Sequence, residues 1–350
     1  MSDILIYGAY GYSGRLIAEA AVARGMRPVL AGRDATRTAA LAHELGLPFR
    51  SFALEQPSQV DQGLQGIAVV LHCAGPFSAT AAPMLDGCLR ARAHYLDICG
   101  EYQVIEAVAA RDAALREAGI MAMCGVGMDV VPTDCLAAHM RRRMPGAVRL
   151  DIYIRALEQL SPGTATTMIE GMGLPNVVRA GGQLVERTAG ADRRKVPFPD
   201  RTVSMVSVPW GDIATAWRTT GIADIAVHMS LLPGAPIMVA LSRYGRSLQQ
   251  SAPVQRALKA LVRRFVTGPG AGQREAGRCE FIAEARDAQG KLCRSYLATR
   301  EGYALTVDSA CAIAARVLAG QARPGFQTPG GLFGADFVLE LPGSERRDLV

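Results

Sequence analysis

Over the first third of the chain, apolar runs of strand length alternate with segments whose apolar residues recur at helical spacing. Ile4, Leu5 and Ile6 form the first run, and Leu16, Ile17, Ala20 and Ala21 then repeat as one helix face. "RPVLAGR" from Arg27 predicts a second strand and "TRTAALAHEL" from Thr36 its helix. "PFRSFAL" from Pro48, "SQVDQGLQG" from Ser58 and "AVVLHCAG" from Ala68 continue as strand, helix and strand. "APMLDGCLRAR" from Ala82, "HYLDICG" from His94, "VIEAVAARDAALREAG" from Val104 and "IMAMCGVG" from Ile120 extend the rhythm. Buried strands alternating with helices predict an α/β fold. They make a Rossmann-type doubly wound parallel sheet, covered on both faces, which takes ligands at its strand C-termini.

Near residue 148 the period changes. "VRLDIYIRAL" from Val148 alternates apolar and polar residues, as a half-solvated antiparallel strand does. "TVSMVSV", "IADIAVHMSL", "RCEFIAEARD" and "KLCRSYLATRE" follow suit, the last two as a hairpin around "DAQGK". Helices are predicted at "TATTMIEGMGLPNVVRAGG" from Thr164, "APVQRALKALVRRFVTG" from Ala252 and "TVDSACAIAARVLAG" from Thr306. The second domain is therefore α+β, on a mixed or antiparallel sheet. The expected boundaries are 1–147, 148–302, and 303–350 as a helix and tail returning to the first domain.

The first strand-to-helix junction reads "GAYGYSG", with glycines at Gly8, Gly11 and Gly14. Gly8 permits a tight turn, Gly11 a close approach to a pyrophosphate and Gly14 close packing of helix on strand. The helix dipole adds attraction for the anion. Tyr10 and Tyr12 belong to the same cofactor loop. The second strand ends "LAGRD", where a 2′-hydroxyl of NAD would meet an acid and the 2′-phosphate of NADP an arginine. Arg33 holds that place, Asp34 follows it, and Arg37 supplies a second cation one turn on, so NADPH is the expected cofactor.

Three other strand ends face the same edge: "CAGPFSATAAP", "YLDICGEY" and "CGVGMDVVPTDCLA". Ala74, Gly75, Pro76 and Phe77 are the expected nicotinamide-side loop, with Ser78 and Thr80 available as helix caps. Tyr95, Asp97, Glu101 and Asp129 are the candidate catalytic groups, with Thr133 and Asp134 near them. A carboxyl group serves as proton donor near neutrality only if burial raises its pKa. Thr164, Thr166 and Thr167 are candidates for a substrate wall, and Ser161 or Thr164 for a helix cap.

At 350 residues, 49% hydrophobic and 20% charged, the chain has the composition of a globular protein with two ordinary cores. The eight cysteines include no C-x-x-C pair and the five histidines no ligand cluster, which predicts reduced thiols and no metal. The first apolar run is a strand rather than a signal core, so the expected location is cytoplasmic. "MSLLPGAPIMVALSR" from Met229 is broken by Pro233 and Pro236 and is too short to span a bilayer; it reads as buried surface rather than membrane contact. Net charge is +6, with basic clusters at Arg141–Arg143, Arg193–Lys195 and Arg263–Arg264. They are scattered and lack interleaved aromatics, which argues against nucleic acid and suits a phosphorylated cofactor or an acidic carrier.

"GAYGYSGRLIA", "AGR", "CAGPFSATAAPMLDGCLRARAHYLDICGE", "GVGMDVVPTDCLAAHM", "SPGTATTMIEG" and "TPGGLFGADFVLE" resemble the saccharopine dehydrogenase-like oxidoreductases, which include the trans-acting enoyl reductases. The resemblance implies an NADP-binding Rossmann domain, a second α+β domain that shapes the substrate site, and a homodimer. It places nucleotide contacts on Gly8, Gly11, Gly14 and Arg33 and the nicotinamide-side loop on Ala74 to Phe77. The expected activity is NADPH-dependent reduction of an activated double bond in a small-molecule substrate, free or carrier-bound. A conjugated C=C ranks first, because the second domain is rich in apolar segments. Reduction of C=N, as in an imine or opine-type enzyme with Arg155, Arg179 or Arg218 clamping a carboxylate, is the rival. A non-catalytic NADPH-binding module is the third reading.

Overall fold

The computed structural model describes residues 3–156, 160–230 and 250–349, and divides the chain into two compact units. The first unit comprises residues 1–131 and 303–332 and the second 132–302 and 333–350.

In the first unit β1 (Ile4–Tyr7), β2 (Val29–Gly32), β3 (Phe49–Ser51), β4 (Val69–His72), β5 (His94–Asp97) and β6 (Met121–Met123) lie in the order β6-β5-β4-β1-β2-β3. The strand Gly325–Phe326 extends the β6 edge, and every pairing is parallel. The four residues of β1, β2 and β4 are all buried, as a parallel sheet covered on both faces requires. The chain reverses direction of travel between β1 and β4, which opens the crevice used by dinucleotides. The segment read as one helix from Val104 is two, Tyr102–Ala109 and Asp112–Glu117.

The late helix Gly302–Leu318 lies almost wholly with this unit. The Thr306 hydroxyl accepts from the Met128 N–H at 3.0 Å, and Ser309 donates to the Val126 carbonyl at 2.7 Å. A side chain at Gly127 would stand 2.8 Å from Thr306, so the glycine admits the helix.

The second unit holds β7 (Ala147–Arg155), β8 (Asn176–Ala180), β9 (Gln183–Arg187), β10 (Arg193–Pro197), β11 (Thr202–Val208), β12 (Asp224–Ser230), β13 (Arg278–Asp287) and β14 (Leu292–Arg300). Its main path is β10-β11-β12-β7-β13-β14, with the strand Glu345–Asp348 on β14 and the β8–β9 hairpin on β12. Only the β12–β7 pairing is parallel, so the sheet is mixed.

Three expectations change. Asn176–Ala180, within the helix read from Thr164, is the strand β8: the helix Pro162–Gly171 stops before Gly173 at φ +74° and Pro175, and the β-branched Val177 and Val178 follow as strand. β7 is not half-solvated, because it is an interior strand whose polar Asp151 and Tyr153 are as buried as its apolar positions. Residues 333–350 fall in the second unit, since Glu345–Asp348 pairs with β14, and the boundary lies at 131/132 rather than at 147/148.

One face of this sheet is apolar, with Leu150, Ile152, Ile154, Ile225, Val227, Phe281 and Ala283 all buried. The other carries a ladder of charge across neighbouring strands. Arg149 grips Asp151 through two 2.8 Å bonds, Glu284 stands opposite Asp151, and Arg294 bonds Glu284 from β14. Beyond the ladder the same face turns apolar at Tyr153, Met205, Ile282 and Tyr296.

Candidate functional site

The glycines of the first loop are fixed by contact. Gly8 sits at φ +82°, and a Cβ on it would lie 2.8 Å from Ala74, so the β1 and β4 loops touch there. A Cβ on Gly14 would lie 2.3 Å from the Gly8 carbonyl oxygen. Gly11 donates to that same carbonyl at 2.9 Å and caps the helix Tyr12–Ala23 without a side chain. The result is a bare helix N-terminus against two close loops, a cradle for a pyrophosphate.

At the end of β2 the structure orders the expected cations. The Tyr10 ring lies against Gly32, where a Cβ would come within 2.5 Å of it, and the Arg37 guanidinium stacks on the ring 4.4 Å from its centroid. Arg33 is exposed beside this platform. Asp34 is the N-cap of the helix Ala35–Leu45, its Oδ1 accepting from the Arg37 N–H at 3.0 Å. The Asp34 carboxylate is committed to this cap, and the two arginines beside it are exposed. Tyr12 sets the edge of its ring on Tyr303, 4.9 Å between centroids, away from this platform.

The β4 loop is partly as expected. Ala74 and Pro76 are half-buried and Gly75 is exposed, and the Gly75–Pro76 peptide is cis. Phe77 is buried and meets His72 edge-on at 5.4 Å, so it belongs to the core. Thr80 does not cap the following helix but donates back to the Ala74 carbonyl at 2.6 Å. With that hydrogen spent, the 3.0 Å contact to His72 Nε2 makes the imidazole the donor, and burial pushes its pKa down to about 3.

The four catalytic candidates separate into two pairs. Tyr95 and Asp97 are fully buried. The Tyr95 hydroxyl donates to Asp97 Oδ2 at 2.8 Å, while Oδ1 accepts from the N–H groups of Cys99 at 3.0 Å and Gly125 at 2.9 Å. Burial raises both pKa values, that of Tyr95 well above the ordinary phenol range. This pair stitches the β5 and β6 loops together, and both side chains are closed to solvent.

Glu101 and Asp129 lie half-buried at the same strand ends. Glu101 accepts from the Gly100 N–H at 3.1 Å, and Asp129 rests on Gly100, where a Cβ would sit 3.0 Å from its carboxyl carbon. Burial first, and the Glu101 charge second, raise the Asp129 carboxyl from its ordinary 3.8 to about 7. Gly100 escaped notice in the sequence; its one signal is a glycine between a strand end and an acid.

The other candidates belong to the second unit. Thr133 and Asp134 are fully buried in the second unit, where Thr219 donates to Asp134 at 2.7 Å. Ser161 caps the helix Pro162–Gly171, taking the Thr164 N–H at 3.2 Å, and Thr166 donates to the Pro162 carbonyl. The three arginines proposed as clamps are engaged. Arg155 bridges Asp200 and Glu280, Arg179 donates to the Ile213 and Gly182 carbonyls over Trp217, and Arg218 donates to the Ala214 carbonyl. Arg142 pairs with Asp336 and Arg143 with Asp348, so much of that basic cluster is internal wiring. Among the described residues the cysteines are free and no group of metal-binding side chains occurs.

Residues 4–123 match the saccharopine dehydrogenase NADP binding domain family. These residues form an NADP-binding domain similar to that of the saccharopine dehydrogenases. Beyond it, a trans-acting enoyl reductase of Mycobacterium bovis is 28% identical over 185 residues, 49% of this chain and 44% of that protein. The Mycobacterium leprae protein of that name is 32% identical over 152 residues, 41% of this chain and 36% of its own. A mouse saccharopine dehydrogenase-like oxidoreductase is 24% identical over 165 residues, 41% and 38% of the two chains. The chain thus matches less than half the length of these curated relatives. Saccharopine dehydrogenase (L-Glu forming) from Saccharomyces cerevisiae, in its apo form, shares the fold over 100% of both chains, at TM-score 0.68 and 13% identity. Among the described residues no helix is long and apolar enough to cross a membrane, and the apolar run from Met229 lies almost wholly outside them.

Proposed function

We propose that this saccharopine dehydrogenase-like chain is an NADPH-dependent reductase of a conjugated C=C bond in an acyl substrate, with Asp129 as proton donor. The observation that carries the reading is the Asp129 carboxyl at about 7, half-buried beside Glu101 at the strand ends of the nucleotide sheet. Bound NADPH supplies the hydride. The loop of Gly8, Gly11 and Gly14 would hold the pyrophosphate, and Arg33 with Arg37 would hold the 2′-phosphate. Once hydride has reached the carbon β to the acyl carbonyl, the α carbon needs a proton. Protonated Asp129 gives it, and Glu101 keeps that proton in place at neutral pH by disfavouring a second negative charge.

The rival imine or opine-type reading asks for arginines open to a substrate carboxylate, and Arg155, Arg179 and Arg218 all hold protein partners instead. Mycobacterial relatives that bear the name trans-acting enoyl reductase point the same way. The test is NADPH oxidation against α,β-unsaturated acyl thioesters and cyclic imines. Asp129→Asn should lower kcat on the thioester by about 10²–10⁴-fold and leave the NADPH Kd unchanged. Activity should fall as pH rises through about 7, where the donor loses its proton. Turnover of imines alone, or an unaltered kcat in Asp129→Asn, refutes the assignment.

The same residue sets a pH dependence of stability. A carboxyl raised in the folded state stabilises it fully below 3.8, and that contribution is lost as pH climbs to about 7. Asp129→Asn should flatten this part of the stability profile.

A further inference from the structure

A cavity of about 590 Å³ opens on the charged face of the second sheet, lined by residues of β7, β8, β11 and β12 and of the β9–β10 connection. It lies wholly within the second unit and shares no residue with the nucleotide loops. We propose that it binds a small organic acid carrying a hydrogen-bond donor beside its acid group. The inference stands independently of the reductase reading.

Charge points to the acid. Arginines outnumber aspartates on the wall four to two. Arg149 spends two N–H groups on Asp151, and Arg194 shares Asp192 and the Tyr153 hydroxyl. Each guanidinium has five donors, so both retain N–H groups beyond those bonds. Asp192 is drawn aside by Arg194 and by His228 Nε2 at 3.1 Å, which reduces its repulsion of an incoming anion. Arg187, at the exposed end of β9, donates to the neighbouring Glu186 carbonyl at 3.3 Å and meets no carboxylate among the described residues.

Asn176 points to the donor. It is 3% exposed, its Nδ2 donates to the Ser207 hydroxyl at 2.8 Å, and its Oδ1 meets no donor among the described residues. A buried acceptor left unmet is costly. In a wall otherwise rich in donors, the hydroxyl or ammonium of a ligand satisfies it while the acid group meets the arginines. The volume suits a molecule of small-metabolite size.

Calorimetric titration of the full chain separates the sources of the acid. L-Malate offers carboxylates beside a hydroxyl, and glycerol 3-phosphate a phosphate beside hydroxyls; succinate lacks the hydroxyl and glycerol lacks the acid. Binding of malate or glycerol 3-phosphate is expected, with saturation by NADPH leaving it intact. Succinate should bind roughly tenfold more weakly than malate, and glycerol not measurably. Asn176→Leu should erase the difference between malate and succinate. Arg187→Ala, a change at the exposed end of the hairpin, should weaken the bound acid roughly tenfold at an unchanged melting temperature. Absence of heat from both acids overturns the proposal, as does displacement by NADPH or an affinity indifferent to Arg187→Ala.

Discussion

The two sheets keep their polar groups in different places. In the parallel sheet β1, β2 and β4 are apolar along their buried lengths up to the neutral His72 that ends β4, and the candidate site groups lie in the loops that leave the strand ends. In the mixed sheet charged groups sit mid-strand: Asp151 and Glu284 are nearly inaccessible, and each is held by arginines reaching from neighbouring positions. A sheet sandwiched between helices has no room for charge except at its ends. A sheet with one polar face can hold charge in its middle, provided each buried ion is paired.

Breaking the ladder should give the largest effect. Asp151→Asn leaves Arg149 without its bidentate partner and removes the second contact of Arg194, at a cost of about 2–3 kcal/mol in denaturant unfolding. The exposed Arg90–Asp61 pair of the first unit is the control, and Asp61→Asn should leave the unfolding midpoint in place. A ladder variant as stable as the parent would erase the contrast between the sheets.

On the parallel sheet the sensitive positions lie at the ends. Arg33→Ala should weaken NADPH roughly tenfold to a hundredfold in fluorescence titration and leave NADH nearly unchanged. Equal losses for the two nucleotides would remove Arg33 from the 2′-phosphate. The smallest effect should come from Asp34→Ala, about 1 kcal/mol of stability through the lost cap, with the preference for NADPH intact. A loss of NADH affinity would show that Asp34 acts on the ribose and not only as a cap.

These differences also explain what could be read along the chain. Gly8 and Gly14 announce their loop because no other residue fits beside Ala74 and the Gly8 carbonyl. The exposed arginines at the end of β2, Arg33 and Arg37, are likewise legible from local spacing alone. Long-range packing hid the rest. Nothing near Tyr95 or Asp97 in the sequence tells that Gly125 closes over the carboxylate, and a rim position was inferred for a buried pair. Alternation in β7 was real, but a polar residue facing an arginine across the same sheet face looks the same as one facing water. β8 was taken for helix because the stop at Gly173 and Pro175 was outweighed by the apolar run around it.

The return of residues 303–332 to the first unit bears on how the protein is made. A ribosome releases the six strands β1–β6 early, yet the helix that seats Gly127 and the strand beside β6 emerge only after the second unit has been synthesised. Until then the nascent nucleotide domain carries an open sheet edge and an uncovered surface, a form that chaperones would be expected to hold. Co-translational folding should therefore finish late, in both units at nearly the same moment, because residues 333–350 complete the second just behind.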